Sequence, residues 1–275
     1  MEQQERHKRI LRMLAEQGTA SVMHLAEALG ASLATIRRDL TLLETAQLLQ
    51  RTHGRAHLGG AAAARQLSSS SFEGSVQYRV ECKRAIARRA VELCADGDTV
   101  LIGGGTTTFQ MVDFMAGLRM RVLTNSFAIA RGLLAGSDNE VSLTGGKIYP
   151  EQGVILSPFD TQAVQYWQAD HLFMGAHWLS SQGVMEADPL LIQAGRRLIP
   201  QAQHVTVLAD ASKFGGNGGM LLCGLERINR VITDSGVRDS AVRMLEQAGV
   251  EVLVVDPETP TKRTSHEGTQ SLAIY

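Results

Sequence analysis

Cysteine is scarce in this chain: Cys82, Cys94 and Cys223 are its three, scattered over 275 residues. That number and spacing exclude a disulfide framework or a zinc site and fit small core residues in a reducing compartment. Long apolar runs are missing too. No stretch approaches the ~18 consecutive apolar residues of a membrane span, and the N-terminus has no apolar signal region. These absences predict a cytoplasmic protein with no membrane partner. A strong charge of one sign is also lacking, since the formal net charge is −1. No global basic field surrounds the molecule, yet the charge is uneven. Residues 1–58 carry eight Lys and Arg against six Asp and Glu, with four of the eight histidines. A modestly basic head on an acidic body is the asymmetry expected of a nucleic-acid-binding module. With 44% hydrophobic and 20% charged residues, the composition is that of a globular chain of about two domains.

What is present is most specific from residue 31 onward. Ser32 is a good N-cap, able to accept a hydrogen bond from the first helical turn. After it Ile36, Leu40 and Leu43 recur at helical spacing as a buried stripe. Turning that stripe inward places Ala34, Arg38 and Thr41 on the opposite side, with Arg37 on the flank. An arginine there can bond two acceptors of a guanine, and a threonine can touch a base edge or a phosphate. Upstream, residues 6–16 read as a basic helix with Ile10, Leu11 and Leu14 on its apolar side and Gly18 as its stop. Ser21 caps a second helix over Val22–Leu29, whose Leu25, Ala26 and Leu29 face inward. The Gly30-Ala31 turn is short, as a helix-turn-helix requires. Downstream, residues 48–51 and 55–58 alternate like two strands around Thr52-His53-Gly54. The first 58 residues thus predict a winged helix-turn-helix. Its candidate DNA-facing residues are Ser32, Thr35, Arg37, Arg38, Thr41, Arg51, His53 and Arg55.

Between residues 59 and 75 the composition shifts to a glycine pair, four alanines and a run of four serines. This reads as a linker, with residues 61–67 able to extend as a short helix. Residues 78–95 then predict one helix with Val80, Ile86, Ala87, Ala90 and Leu93 inside. Short apolar runs follow at Thr99–Ile102, 121–123, 141–143, 171–174, 205–208, 231–232 and 250–255, separated by helical stretches. That alternation predicts a second, larger α/β domain over residues 76–256, a mostly parallel sheet covered by helices. The Pro-, Thr- and Ser-rich residues 257–275 read as a poorly ordered tail.

The strand endings are informative. They run into Gly103-Gly-Gly-Thr-Thr-Thr108, Thr124-Asn-Ser126, Thr144-Gly-Gly-Lys147 and Asp210-Ala-Ser-Lys213. Ligands of open α/β sheets bind beyond the carboxyl ends of strands, where glycines admit the ligand to the backbone. Hydroxyls, amides and backbone N–H groups suit a phosphate or a polyol, and Lys213 suits an anion. His171, His177 and Trp178 read as packing or pocket-wall residues, and Tyr166 and Trp167 as core or subunit-interface aromatics. The Gly-rich residues 215–219 read as a flexible loop or a lid over the site.

Two sets of residues carry a family resemblance. Arg6, Ile10, Leu14, Gly18, Leu25-Ala26, Leu29, Thr35-Ile-Arg-Arg-Asp-Leu40, Leu43-Glu44, Leu48, Arg51 and His53-Gly54 resemble the DNA-binding domain of the DeoR family of bacterial sugar-metabolism regulators. Arg79, Lys83, Ile86-Ala87, Asp96-Gly-Asp98, Gly105-Thr-Thr107, Thr124-Asn-Ser126, Thr144-Gly-Gly146, Gly175 and Asp210-Ala-Ser-Lys-Phe-Gly215 are similar to its effector domain. The resemblance implies a ribose-5-phosphate-isomerase/CoA-transferase-like fold for that domain, binding a phosphorylated sugar or sugar derivative and no cofactor. The loss of charged side chains at Gly103, Leu191 and Gly195 extends the expected effectors to a sugar-acid phosphate. It implies a pocket of Gly104, Gly105, Thr106, Thr107, Thr124, Asn125, Ser126, Gly145, Gly146, Lys147, Asp210 and Lys213. The expected protein is a non-enzymatic repressor of a carbohydrate operon, a homodimer or homotetramer on double-stranded operator DNA. The alternative is an isomerase-like enzyme with an appended DNA-binding head. The chain departs from the family at Gln47 and Arg55 in the head, and at Gly103, Leu191 and Gly195, where the family commonly carries charged side chains. Glu186, Asp188, Arg196 and Arg197 are candidate replacements.

Overall fold

The N-terminal helices begin where their capping residues dictate. The structure, a computed structural model, describes residues 3–17, 19–45, 49–52, 55–58, 72–150, 152–157, 162–216 and 219–257. Helices α1 (Gln3–Gln17), α2 (Val22–Leu29) and α3 (Leu33–Thr45) form the head. Ser21 Oγ accepts the His24 N–H at 3.1 Å, and Ser32 Oγ accepts the Thr35 N–H at 3.1 Å. Each cap satisfies an orphan donor and is worth about 1 kcal/mol. Between α2 and α3, Gly30 adopts φ 59°, which lets its N–H reach back to the Ala26 and Glu27 carbonyls and reverse the chain. Ile10, Leu14, Leu25, Ile36, Leu40 and Leu43 close over a core of their own. The wing has one strand more than predicted. Besides β2 (Leu49–Thr52) and β3 (Arg55–Leu58), a strand β1 (Thr19–Ser21) pairs antiparallel with β3. Three residues are too few for a period-2 pattern to declare itself.

All seven predicted apolar runs are strands of one parallel sheet. They are β4 (Thr99–Ile102), β5 (Arg121–Thr124), β6 (Glu140–Leu143), β9 (Ala169–Met174), β12 (Ala202–Leu208), β14 (Arg230–Asp234) and β15 (Glu251–Val255). The spatial order is β15-β14-β12-β9-β4-β5-β6. Alternate side chains leave a strand on opposite faces, so Val100 and Ile102 join one core and Leu101 the other. With both faces covered, β4 is buried at every residue and reads as an unbroken apolar run. The sequence did not reveal the hairpin β7 (Lys147–Tyr149) and β8 (Val154–Leu156). It also missed the small antiparallel sheet of β10 (Trp178–Ser180), β11 (Gly183–Glu186) and β13 (Met220–Cys223).

Two sequence expectations are corrected beside that sheet. Residues 72–75 are not linker: they belong to helix α4 (Phe72–Gln77). The helix expected over residues 78–95 runs only as α5 (Val80–Val91). Arg79 is the reason, since it takes a left-handed φ of 52° that breaks α4 from α5. That conformation costs a β-carbon-bearing residue roughly 1 kcal/mol or more. Ion pairs of 3.1 Å to Asp210 and 2.8 Å to Asp234, remote in sequence, hold it there. Further helices are α6 (Thr106–Phe109), α7 (Phe127–Gly136), α8 (Pro189–Leu198) and α9 (Asp239–Gln247). No described helix is long and apolar enough to cross a membrane. The possible helix over residues 61–67 and the tail from residue 258 lie outside the described residues.

Candidate functional site

The outward face of α3 is built as its sequence predicts. Ile36, Leu40 and Leu43 are buried, while Ala34, Arg37, Arg38 and Thr41 are exposed. The buried side also carries Asp39, whose carboxylate receives Arg6 at 2.5 Å and His7 at 3.0 Å from α1. Burial alone would raise that carboxyl, but the bonds from Arg6 and His7 hold it below the ordinary carboxylate range. Part of the hydroxyl complement of the face is already engaged. Ser32 and Thr35 share a 2.8 Å bond, and the Thr41 hydroxyl donates to the Arg37 carbonyl at 2.9 Å. Leu33, exposed by 45% on the first turn, is an apolar group that the sequence reading passed over. Arg51 and Arg55 lie on the wing strands β2 and β3, their side chains outside what is described, and His53 lies outside the described residues.

In the sheet, strand order reverses between β4 and β9, the place where an open parallel sheet leaves a crevice beyond its carboxyl ends. A cavity of about 480 Å³ lies there. Gly103, Gly104 and Gly105 follow β4 into it, Asn125 follows β5, His177 follows β9, and Asp210 and Lys213 follow β12. Asn125 Oδ1 accepts the Gly104 N–H at 2.7 Å and pins the glycine loop. A Cβ at Gly104 would run into Val154, so glycine is required for packing as well as approach. Asp210 is wholly buried, its Oδ1 accepting the Ser212 N–H at 3.0 Å, and its Oδ2 has no hydrogen-bond partner among the described residues. Burial opposes its ionisation, but Lys213 and Arg79 outweigh that penalty and keep the carboxyl below its usual range.

More of the lining comes from strand β11 and the start of helix α8. Glu186 ends β11 and Asp188 caps α8, accepting the Leu190 N–H at 2.8 Å. Burial pushes the Glu186 carboxyl up, against bonds from the Ala187 and Asp188 N–H groups. Burial, with Lys213 adding, pulls His177 down to about 4, so it is neutral at pH 7. Phe72, Ser75 and Tyr78 line a further side, with Lys83 beside them. Burial lowers Lys83 to about 8.

Of the predicted pocket residues, the structure brings together Gly104, Gly105, Thr106, Thr107, Asn125, Asp210 and Lys213. Five others do not line this cavity. The Thr124 hydroxyl donates to the Ile102 carbonyl at 2.7 Å, and Ser126 caps α7 through the Ile129 N–H at 3.3 Å. Gly145 borders a separate small cavity, and Gly146 turns the chain against the Leu156 backbone. Lys147 lies over the Tyr149 ring on the hairpin. The three departing positions, Gly103, Leu191 and Gly195, all line the cavity, as do Glu186 and Asp188. Arg196 instead bonds the Leu221 and Leu222 carbonyls, and Arg197 borders the small cavity. His177 is a cavity wall, whereas His171 packs beside His204 and Asp98, away from it. Tyr166, expected in a core or an interface, is 77% exposed, and Trp167 packs against the core. Residues 217 and 218 of the glycine-rich loop lie outside the described residues.

Residues 6–60 match the model of the DeoR-like helix-turn-helix domain, and residues 78–235 that of the DeoR C terminal sensor domain. The chain is 30% identical to a putative aga operon transcriptional repressor of Escherichia coli O157:H7, over 91% of this chain and 93% of that one. It is 29% identical to the HTH-type transcriptional regulator UlaR of Shigella dysenteriae serotype 1 (strain Sd197), over 93% and 100% respectively. Among solved structures it is similar to eIF2B beta from Chaetomium thermophilum, with 12% identity, 90% and 93% coverage and a TM-score of 0.47. It is also similar to ribose 5-phosphate isomerase A from Methanocaldococcus jannaschii, with 16% identity, 48% and 53% coverage and a TM-score of 0.36.

Proposed function

The chain belongs to the DeoR family, and on that premise we propose that it represses a carbohydrate operon under control of a phosphorylated sugar. It is a DNA-binding transcriptional regulator and not an enzyme. The observation that carries the reading is the pairing of two surfaces in one chain: an exposed, arginine-bearing α3, and a polar cavity at the strand-order reversal.

Arg37 and Arg38 read or clamp the major groove, with Thr41 and Leu33 supplying methyl contacts of the kind thymine accepts. The wing residues Arg51, His53 and Arg55 add phosphate contacts. A repressor on repeated half-sites acts as a homodimer or homotetramer. In the cavity, Lys213 and the Gly104–Thr107 backbone hold the ligand's phosphate, and Asp210 Oδ2 accepts a sugar hydroxyl. Glu186 and Asp188, which also line the cavity, favour hydroxyls and disfavour a further carboxylate, which supports a sugar phosphate over a sugar-acid phosphate.

The test begins with selection of bound duplexes from a random-sequence pool. Each phosphorylated and unphosphorylated sugar is then scored for release of the selected DNA and for thermal stabilisation. A ligand at 100 times its Kd adds about 2.7 kcal/mol to the folded state, enough for a clear shift. Release and stabilisation by a phosphorylated sugar, both lost in Lys213→Ala, are the expected results. Arg38→Ala is expected to weaken the selected duplex by about 1–3 kcal/mol and to leave the thermal shift intact. If no duplex is enriched, or stabilisation by phosphosugars survives in Lys213→Ala, the corresponding half of the reading is wrong.

A further inference from the structure

Lys83 is 2% exposed, yet its side chain reaches the cavity wall. A buried ammonium is costly without partners. Within the chain its Nζ donates to the Ser75 carbonyl at 2.7 Å, and the Tyr78 ring centroid lies 5.9 Å away. An ammonium has three protons to give. One goes to Ser75, and among the described residues no other hydrogen bond takes the remaining protons, which leaves donors for a ligand in the adjoining space. Ser75 belongs to α4, the first described helix after residues 59–71, and Phe72, Ser75 and Tyr78 all line the same cavity. The Phe72 ring is also seated edge-on against Phe109 at 5.6 Å, next to the glycine-threonine loop.

We propose that Lys83 is a second cationic contact for the ligand's anionic group, and that its bond to Ser75 ties ligand occupancy to α4. This rests on the reading of the cavity as the effector site. The charged and titratable groups around Lys83 are Asp210, which favours its charge, Lys213 and Arg79, which oppose it, and Cys82; Tyr78 lies beside it. Burial outweighs the attraction and holds the ammonium at about 8. A bound phosphate supplies the charge that solvent does not, so Lys83 becomes fully protonated. Its bond to the Ser75 carbonyl becomes charge-assisted at all times and shorter on average. Ligand entry therefore tightens α4 on the cavity, next to the segment that leads to the winged head.

The experiment uses the full chain with inorganic phosphate and D-glucose 6-phosphate as probes. Near pH 8, calorimetry in buffers of different ionisation enthalpy should show wild type taking up about half a proton on binding. Lys83→Met should bind about tenfold more weakly, with no proton uptake. Hydrogen exchange in residues 72–77 should slow with ligand in wild type and not in the variant. Lys83→Gln serves as a second variant if the first unfolds. Full affinity and unchanged proton uptake in the variants, with binding lost in Lys213→Ala, would overturn the role of Lys83 and leave the effector site standing. Ligand-induced slowing that persists in Lys83→Met would overturn the link to α4. If neither probe binds wild type, the cavity reading fails and this inference with it.

Discussion

A single imidazole gives the clearest pH signature at the residue scale. His177 is neutral at pH 7 in the folded chain and largely neutral when unfolded. Between 6.5 and about 4 the unfolded chain takes a proton that the folded chain refuses, so stability falls as pH falls through that window. His177→Asn should lose less stability than wild type when thermal unfolding is followed from pH 7 down to pH 4. The gap between the two should change by on the order of 1 kcal/mol, after discounting for solvent screening. Parallel pH profiles would mean that the imidazole is solvated. Which residues carry chemistry was half legible at this scale. Asp210 and Lys213 stood out because polar residues after a buried strand have few structural reasons to be there. Glu186 and Asp188 entered only as candidate replacements for missing family residues, and the place of Lys83 on the cavity was not legible, because both depend on neighbours brought in from other strands and helices.

Helix α3 shows what an element can encode locally and what it cannot. Its Ser32 cap and the Ile36, Leu40 and Leu43 stripe were readable from spacing, since both follow from the 3.6-residue period. The burial of Asp39 was not, because the Arg6 and His7 that bond it sit on α1. Asp39→Asn removes the charge while keeping the shape, and should destabilise the head by about 1–3 kcal/mol and loosen α3 from α1. Calorimetric unfolding and operator affinity should both fall, whereas phosphosugar stabilisation should stay. An unchanged unfolding profile would place the ion pair among those that contribute nothing. The helix break at Arg79 teaches the same lesson. Local propensity favoured one helix over residues 78–95, and two aspartates 131 and 155 positions further along hold the left-handed turn instead.

For the whole molecule, the prediction is reciprocity. If a phosphosugar lowers operator affinity by some factor, saturating operator DNA must lower affinity for that sugar by the same factor, typically about 5–150-fold. Titration of the ligand with and without the selected duplex measures that factor, and a ligand affinity that the duplex leaves unchanged would mean that the two sites are not coupled. The sequence by itself determined the class of the molecule. Capping residues, helical stripes and seven apolar runs are written in local period and composition, and the runs became one parallel sheet because burial on both faces demands unbroken hydrophobicity. Tertiary structure alone decided which strand endings share a cavity. Strand order reverses beside β4, so the loops after β4, β5, β9 and β12 converge, while Gly146 and Lys147 turn away into a hairpin too short to leave a periodic signal. Spatial order of strands is set by which faces and edges pack best, a sum over distant contacts that no window of sequence contains.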